Sequence, residues 1–178
     1  RQAVAMYLQT ALEKNELEVR YRPTYNLKEG RFTRADSYMR IFIQGIGLVG
    51  AAEFMSIAED SGQIRAIGYY ALDHAGKCIS QLMNTGRVFD SICIPVSPVL
   101  LVQEDFLEQV TKVLETYRIP KGKLALEVDD SALSNVYLNV NITMQELSDM
   151  GVELVLNNFG SGCAPVSSIL DLPINTVK

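Results

Sequence analysis

Three apolar runs in this chain each end in a polar group equipped for chemistry: LALEV in Glu127 and Asp129, VELVL in Asn157 and Asn158, and INTV in Lys178. Glu127 and Asp129 stand two residues apart, so on a strand they project to the same face. With Asp36 they could gather into a small site for a hard divalent cation; backbone amides or a neighbouring arginine would hold them equally well. Other chemistries have less to work with. His74 is the single histidine and falls in a helical run. Ser161 and Ser167 have no base nearby for nucleophilic catalysis, and the loop Gly160 to Gly162 is short for a phosphate cradle. Cys78, Cys93 and Cys163 are odd in number and widely spaced, which points to packing rather than to a disulfide framework or a zinc knuckle.

The elements that must position these groups alternate along the chain. A helical stripe over 3–14 (Val4, Tyr7, Leu8, Ala11, Leu12) precedes a strand from Leu17 to Pro23, a turn through Asn26 to Gly30, and a second strand from about Phe32 to Ile43. The glycine-punctuated stretch QGIGLVG leads to a short helix at Ala51–Glu59, a break at Ser61 and Gly62, and a longer helix to about Met83. VFDSICIPV then reads as a buried strand, followed by a helix from Glu104 to Tyr117, the turn IPKGK and the strand KLALEV. The unit recurs as a helix near Ile142–Met150 that stops at Gly151, the strand VELVLNN, a short helical piece and a last strand, INTVK. Strands separated by helix-length crossovers make a parallel α/β sheet. Polar groups at the C-terminal ends of several strands favour a barrel, whose mouth gathers those ends. An open dinucleotide-binding sheet would need a GxGxxG turn that QGIGLVG matches only loosely.

Composition limits the function classes. The 178 residues, 48% apolar, suffice for one well-filled core. Sixteen basic against 21 acidic residues give a net charge of −5 with no basic stripe, which argues against DNA binding. No apolar run approaches the roughly 20 residues of a membrane span, and the start RQAVAMYLQT has no signal-peptide core. The expected setting is the cytoplasm, as a soluble domain or as the cytoplasmic part of a membrane-anchored protein.

Several stretches carry a family resemblance. YRPTYNLKEGRF resembles the YQPI strand and turn of the EAL family, and AEFMSIAEDSGQIRAIGYYAL resembles its AEFI.IAE.SG helix pair. LALEVDDSAL is similar to LEITES, LSDMGVELVLNNFGSG to L..LGV..ALDDFGTG, and LPINTVK to LPVD.LK. The resemblance implies an EAL-type TIM-like (β/α) barrel whose first strand is antiparallel, and a bacterial signalling role around cyclic di-GMP. It runs over residues 1–178 and stops at the lysine of LPVD.LK, so about six strands are expected where closure takes about eight. The expectation is the N-terminal portion of a barrel excised from a longer signalling protein, or a segment whose open edges pair with another copy.

The same resemblance assigns the site. Asp36 replaces the glutamate of EALLRW, Pro95 the asparagine of VNLS, and Asn157 and Asn158 the aspartates of DDFGTG; Glu127 and Lys178 are retained. These changes halve the negative charge offered to a pair of divalent cations and remove one ligand outright. The implied protein is a catalytically degenerate module with no resident cofactor, binding cyclic di-GMP or a partner protein, with a GGDEF-like cyclase domain upstream. The alternative is a weak phosphodiesterase using Mg or Mn on Asp36, Glu127 and Asp129, completed by residues beyond Lys178. Arg40 matches the arginine that the family directs to the dinucleotide phosphate, where a guanidinium makes forked contacts without metal; otherwise it is a salt-bridged arginine at a strand end. Arg22, in place of the YQPI glutamine, either supplies phosphate-binding charge or fills a vestigial pocket. Tyr38 either stacks on a guanine or packs.

Overall fold

The computed structural model describes residues 2–130, 137–160 and 172–178. Ser161, Gly162, Cys163, Ser167 and the expected helical piece before the last strand lie outside the described residues. Helix α1 (Gln2–Glu13) is followed by strands β1 (Glu18–Asn26), β2 (Arg31–Ile43) and β3 (Gly47–Gly50), then α2 (Ala51–Asp60) and α3 (Ile64–Asn84). Next come β4 (Ser91–Pro95), α4 (Pro98–Leu101), α5 (Phe106–Thr116), β5 (Leu124–Asp129), α6 (Tyr137–Asp149), β6 (Glu153–Asn157) and β7 (Thr176–Val177).

The strands form one sheet in the order β1-β2-β4-β5-β6-β7. β1 runs antiparallel to β2, and every later neighbour on that path is parallel. The β1–β2 hairpin turns where the Asn26 Oδ1 atom accepts hydrogen bonds from the amides of Lys28 (3.0 Å) and Glu29 (3.2 Å), and Gly30 takes the left-handed conformation that ends the turn. One strand was not foreseen. GLVG, expected as a glycine-punctuated connection, is β3, paired antiparallel to the overhang of β2 from Arg40 to Ile43. Two of its four residues are glycines, so local propensity argues against a strand; the free edge of a 13-residue neighbour supplies the pairing.

Alternation along the strands separates two environments. Met39, Ile41 and Ile43 of β2, Ile92 and Ile94 of β4, Leu124, Leu126 and Val128 of β5, and Leu154 and Leu156 of β6 all join the main core. Helix α3 meets them with Ile64, Ile67, Ala71, Ala75 and Ile79, spaced three or four apart, and α5 with Phe106, Val110 and Val113. Gly76 lets α3 and α5 close up: a Cβ there would lie 2.3 Å from the Tyr117 ring. The intervening residues point to the opposite, inner face, where Cys93, Ala125 and Val155 make a small cluster of their own. Beneath it the Arg34 guanidinium donates to Thr176 Oγ1 (2.9 Å) and pairs with Glu153 (3.2 Å), which also accepts from the Ser91 hydroxyl. This polar floor ties β2, β4, β6 and β7 together across the concave side of the sheet. No helix among the described residues is long and apolar enough to cross a membrane.

Candidate functional site

The strand ends place the polar groups above that inner cluster. Asp36 on β2 lies beside Cys93 on β4, and Pro95 beside Glu127 on β5. β7 continues into Lys178, whose amide donates to the Leu156 carbonyl (2.8 Å) and whose carbonyl accepts from the Phe159 amide (3.2 Å). Its ammonium donates to Asp36 Oδ1 at 2.7 Å and to Glu127 Oε2 at 2.6 Å. Partial burial acts to lower the Lys178 pKa, but the two carboxylates outweigh it and hold the ammonium above its ordinary range. Below them Cys93 is buried, and burial pushes its thiol up to about 12, so it stays protonated at neutral pH.

Arg22, opposite Asp36 in register, sets its guanidinium 5.5 Å from the centre of the Tyr38 ring. Arg22, Tyr38, Asp36, Glu127, Asn157 and Lys178 line one open cleft of about 280 Å3. A second cleft of about 420 Å3 adjoins it through the shared Glu127 and Asn157, and is lined by Pro95, Ser97, Glu59 and Asp129 among others. There the Ser97 hydroxyl donates to Glu59 Oε1 (2.6 Å) while its oxygen accepts from the Val99 amide and caps α4.

Six of the residues singled out from the sequence thus line one cleft, and others do not. Arg22, Tyr38 and Lys178 converge beside Asp36 and Glu127. Arg40 does not line the cleft: its Nε donates to Glu18 Oε2 (2.8 Å), the salt-bridged alternative. Arg20 binds the same oxygen (3.0 Å), and Arg40 first, with Arg20, holds the Glu18 carboxyl below its ordinary range. Of the possible grouping of Asp36, Glu127 and Asp129, the structure brings the first two together: among the described residues their carboxylates and the Cys93 sulfur lie within 4.8 Å of one another. Asp129 lies one pleat further up β5, beside Asn157 in register, and its Oδ2 accepts from the Asn158 side-chain Nδ2 at 2.6 Å. Asn158 itself adopts the left-handed conformation that asparagine tolerates. His74 packs its ring on Tyr70 (4.3 Å between centres) and gives its carbonyl to the Tyr21 hydroxyl; burial lowers its pKa. Sequence reasoning did not single out Glu59 and Ser97, which line the second cleft. Only Ser97, a serine directly before Pro98, carried a local signal, that of a helix start.

A mostly parallel sheet with an antiparallel first strand, not closed among the described residues, and polar groups gathered where its parallel strands end have the architecture of a TIM-like barrel of the EAL type. The EAL domain profile matches residues 6–178, and the chain belongs to that family. It is 30% identical over 178 residues to the uncharacterized protein y4lL of Sinorhizobium fredii, covering 100% of this chain and 21% of that protein. It is 28% identical over 158 residues to the cyclic di-GMP phosphodiesterase PA2567 of Pseudomonas aeruginosa, covering 89% of this chain and 27% of the relative. The solved structure of the PaMucR phosphodiesterase in complex with c-di-GMP superposes with a TM-score of 0.91 at 24% identity, over 98% of this chain and 70% of that one. MucR of Pseudomonas aeruginosa is a bifunctional diguanylate cyclase/cyclic di-GMP phosphodiesterase. The chain spans 21–27% of the length of these curated relatives.

Proposed function

We propose that this domain binds cyclic di-GMP as a receptor module in bacterial signalling and does not hydrolyse it. The observation that carries the reading is the convergence of Arg22, Tyr38 and Lys178 on one open cleft beside Asp36 and Glu127. Guanidinium and ammonium groups hold phosphate oxygens without a metal, and an aromatic ring at the same rim offers a stacking surface for a base. Of the two adjoining clefts, the larger, about 420 Å3, falls in the range of about 300–1,000 Å3 usual for small-molecule sites, and the smaller, about 280 Å3, lies just below it. Arg40 adds a second contact in this reading. Its partner Glu18 is exposed, such pairs contribute little, and the guanidinium can leave Glu18 for a phosphate.

The case against hydrolysis rests on donors. Two-metal hydrolysis of a phosphodiester needs several hard oxygen ligands to hold the cations and acidify a water. Here Pro95 has no side-chain oxygen, and Asn157 and Asn158 bring no charge. What favours the weak-phosphodiesterase alternative is the two carboxylates of Asp36 and Glu127, whose oxygens lie within 4.8 Å of each other. The name of MucR, a bifunctional diguanylate cyclase/cyclic di-GMP phosphodiesterase, supports a GGDEF-like neighbour in the same protein, and the proposed ligand supports a cytoplasmic setting.

Titration calorimetry of the protein with cyclic di-GMP in chelator tests the proposal. Saturable binding is expected. Arg22→Ala should weaken it by about 10- to 100-fold, the value of one or two charge-assisted hydrogen bonds to phosphate. Absence of heat both in chelator and in excess Mg2+ would overturn the receptor reading in favour of a protein-interaction scaffold.

A further inference from the structure

A pocket of about 380 Å3 lies under the first half of β2, between the β1–β2 hairpin and the turn that leads from α3 into β4. Its wall is mostly apolar, made by Pro23, Phe32 and Ala35 of the hairpin, Leu82 of α3, and Val88 and Phe89 of the turn. Two groups on that wall have polar chemistry left unused. Thr33 is 4% exposed, and its hydroxyl makes no hydrogen bond among the described residues. Of the two arginines, Arg34 is engaged by Glu153 and Thr176, whereas Arg87 has no ion pair among the described residues. We propose that this pocket is a second binding site, which takes a small carboxylate with an aromatic or branched aliphatic body.

Hydrogen bonds hold the two walls at a fixed separation. Arg31 of the hairpin donates to the Val88 carbonyl (3.3 Å) and pairs with Asp90 (3.7 Å), and the Asp90 amide donates to the Thr33 carbonyl (2.6 Å). Gly86 takes the left-handed conformation that ends α3, and the Arg87 amide bonds back to the Leu82 carbonyl (3.0 Å). The Phe32 ring stands edge-on to Tyr25, 5.1 Å between centres. Even so, Phe32 and Val88 are 59% and 75% exposed. An apolar body seated between these walls removes that surface from water without first ordering the protein. The charge fits a monoanion: Arg87 brings one guanidinium to the pocket, and a phosphate would need more donors than one guanidinium and one hydroxyl. The pocket is separate from the cleft at the strand ends. Thr33 and Ala35 line it from one face of β2, while Asp36 and Tyr38 line the cleft from the other. Its occupancy therefore does not depend on the receptor reading.

The test is a titration of the 15N-labelled protein with 4-phenylbutanoate, read by two-dimensional NMR. Saturable shifts are expected at the amides of Thr33, Arg87, Val88 and Phe89, with a Kd of about 1 mM or below. The uncharged 4-phenylbutanamide should bind about three- to fivefold more weakly. Arg87→Gln, a change at an exposed residue, should remove that difference and leave the affinity for the amide unchanged. No saturation by about 10 mM probe, tenfold above the expected Kd, overturns the proposal. So does equal binding of acid and amide by wild type, or a set of shifts confined to the cleft around Tyr38 and Lys178. Shifts of the pocket amides that grow with protein concentration before any probe is added overturn it as well, because a second copy would then fill the pocket.

Discussion

A variant carrying Asp36→Glu, Pro95→Asn, Asn157→Asp and Asn158→Asp is expected to bind Mn2+ at least about 100-fold tighter than the wild-type protein. Two carboxylates are added beside Glu127 at the ends of β4 to β6, and an oxygen ligand replaces a proline. Each new charge a few Å from the ion is worth more than the 1.4 kcal/mol that makes a factor of about ten in affinity. Asp at position 158 tolerates the left-handed backbone that Asn158 adopts. Calorimetry of variant and wild type side by side reads the difference. An unchanged affinity would mean that the four positions do not converge on one cation, and the account of the lost donors would fail with it.

Leu126→Ala is expected to be the most damaging single change on β5, costing about 2–5 kcal/mol. Leu126 is fully buried, lies between Ile94 and Leu154 in register, and belongs to the core under the helices. For a domain of 178 residues each kcal/mol moves Tm by about 2–4 °C, so thermal denaturation should shift down by roughly 5–15 °C. Its neighbour behaves oppositely. Glu127 projects to the inner face, and Glu127→Gln should leave Tm within a few degrees while removing one carboxylate from Lys178. Equal losses of stability in the two variants would contradict the division of β5 into a core face and a site face.

How much of this was legible in the sequence depends on how far apart the interacting residues lie. The hairpin, the helix–strand alternation and the parallel order are carried by periodicity and turn residues within a few positions of each other, and they match the structure. The membership in the EAL family was legible in motifs such as AEFMSIAEDSG and LALEVDD. β3 was hidden because GLVG has poor strand propensity and exists through its partner. The clamp on Asp36 and the Arg34 bond to Thr176 each join residues 142 positions apart, a separation that leaves no local pattern. Arg40 shows the complementary limit. The family motif gave its position, but the partner it takes, Glu18, comes from a strand with no motif at that residue. Cys93 is the buried, unpaired packing cysteine that its spacing suggested; that it lies beneath Asp36 and Glu127 becomes visible once β2, β4 and β5 are aligned.

The central claim, binding without hydrolysis, is most directly tested by incubating the protein with cyclic di-GMP in excess Mg2+ or Mn2+ and resolving the nucleotides by ion-exchange chromatography. The account predicts that the cyclic dinucleotide is recovered intact from protein shown by titration to have bound it. Accumulation of the linear dinucleotide with repeated turnover, abolished by Glu127→Gln, would contradict it and show that Asp36 and Glu127 still serve a working metal centre.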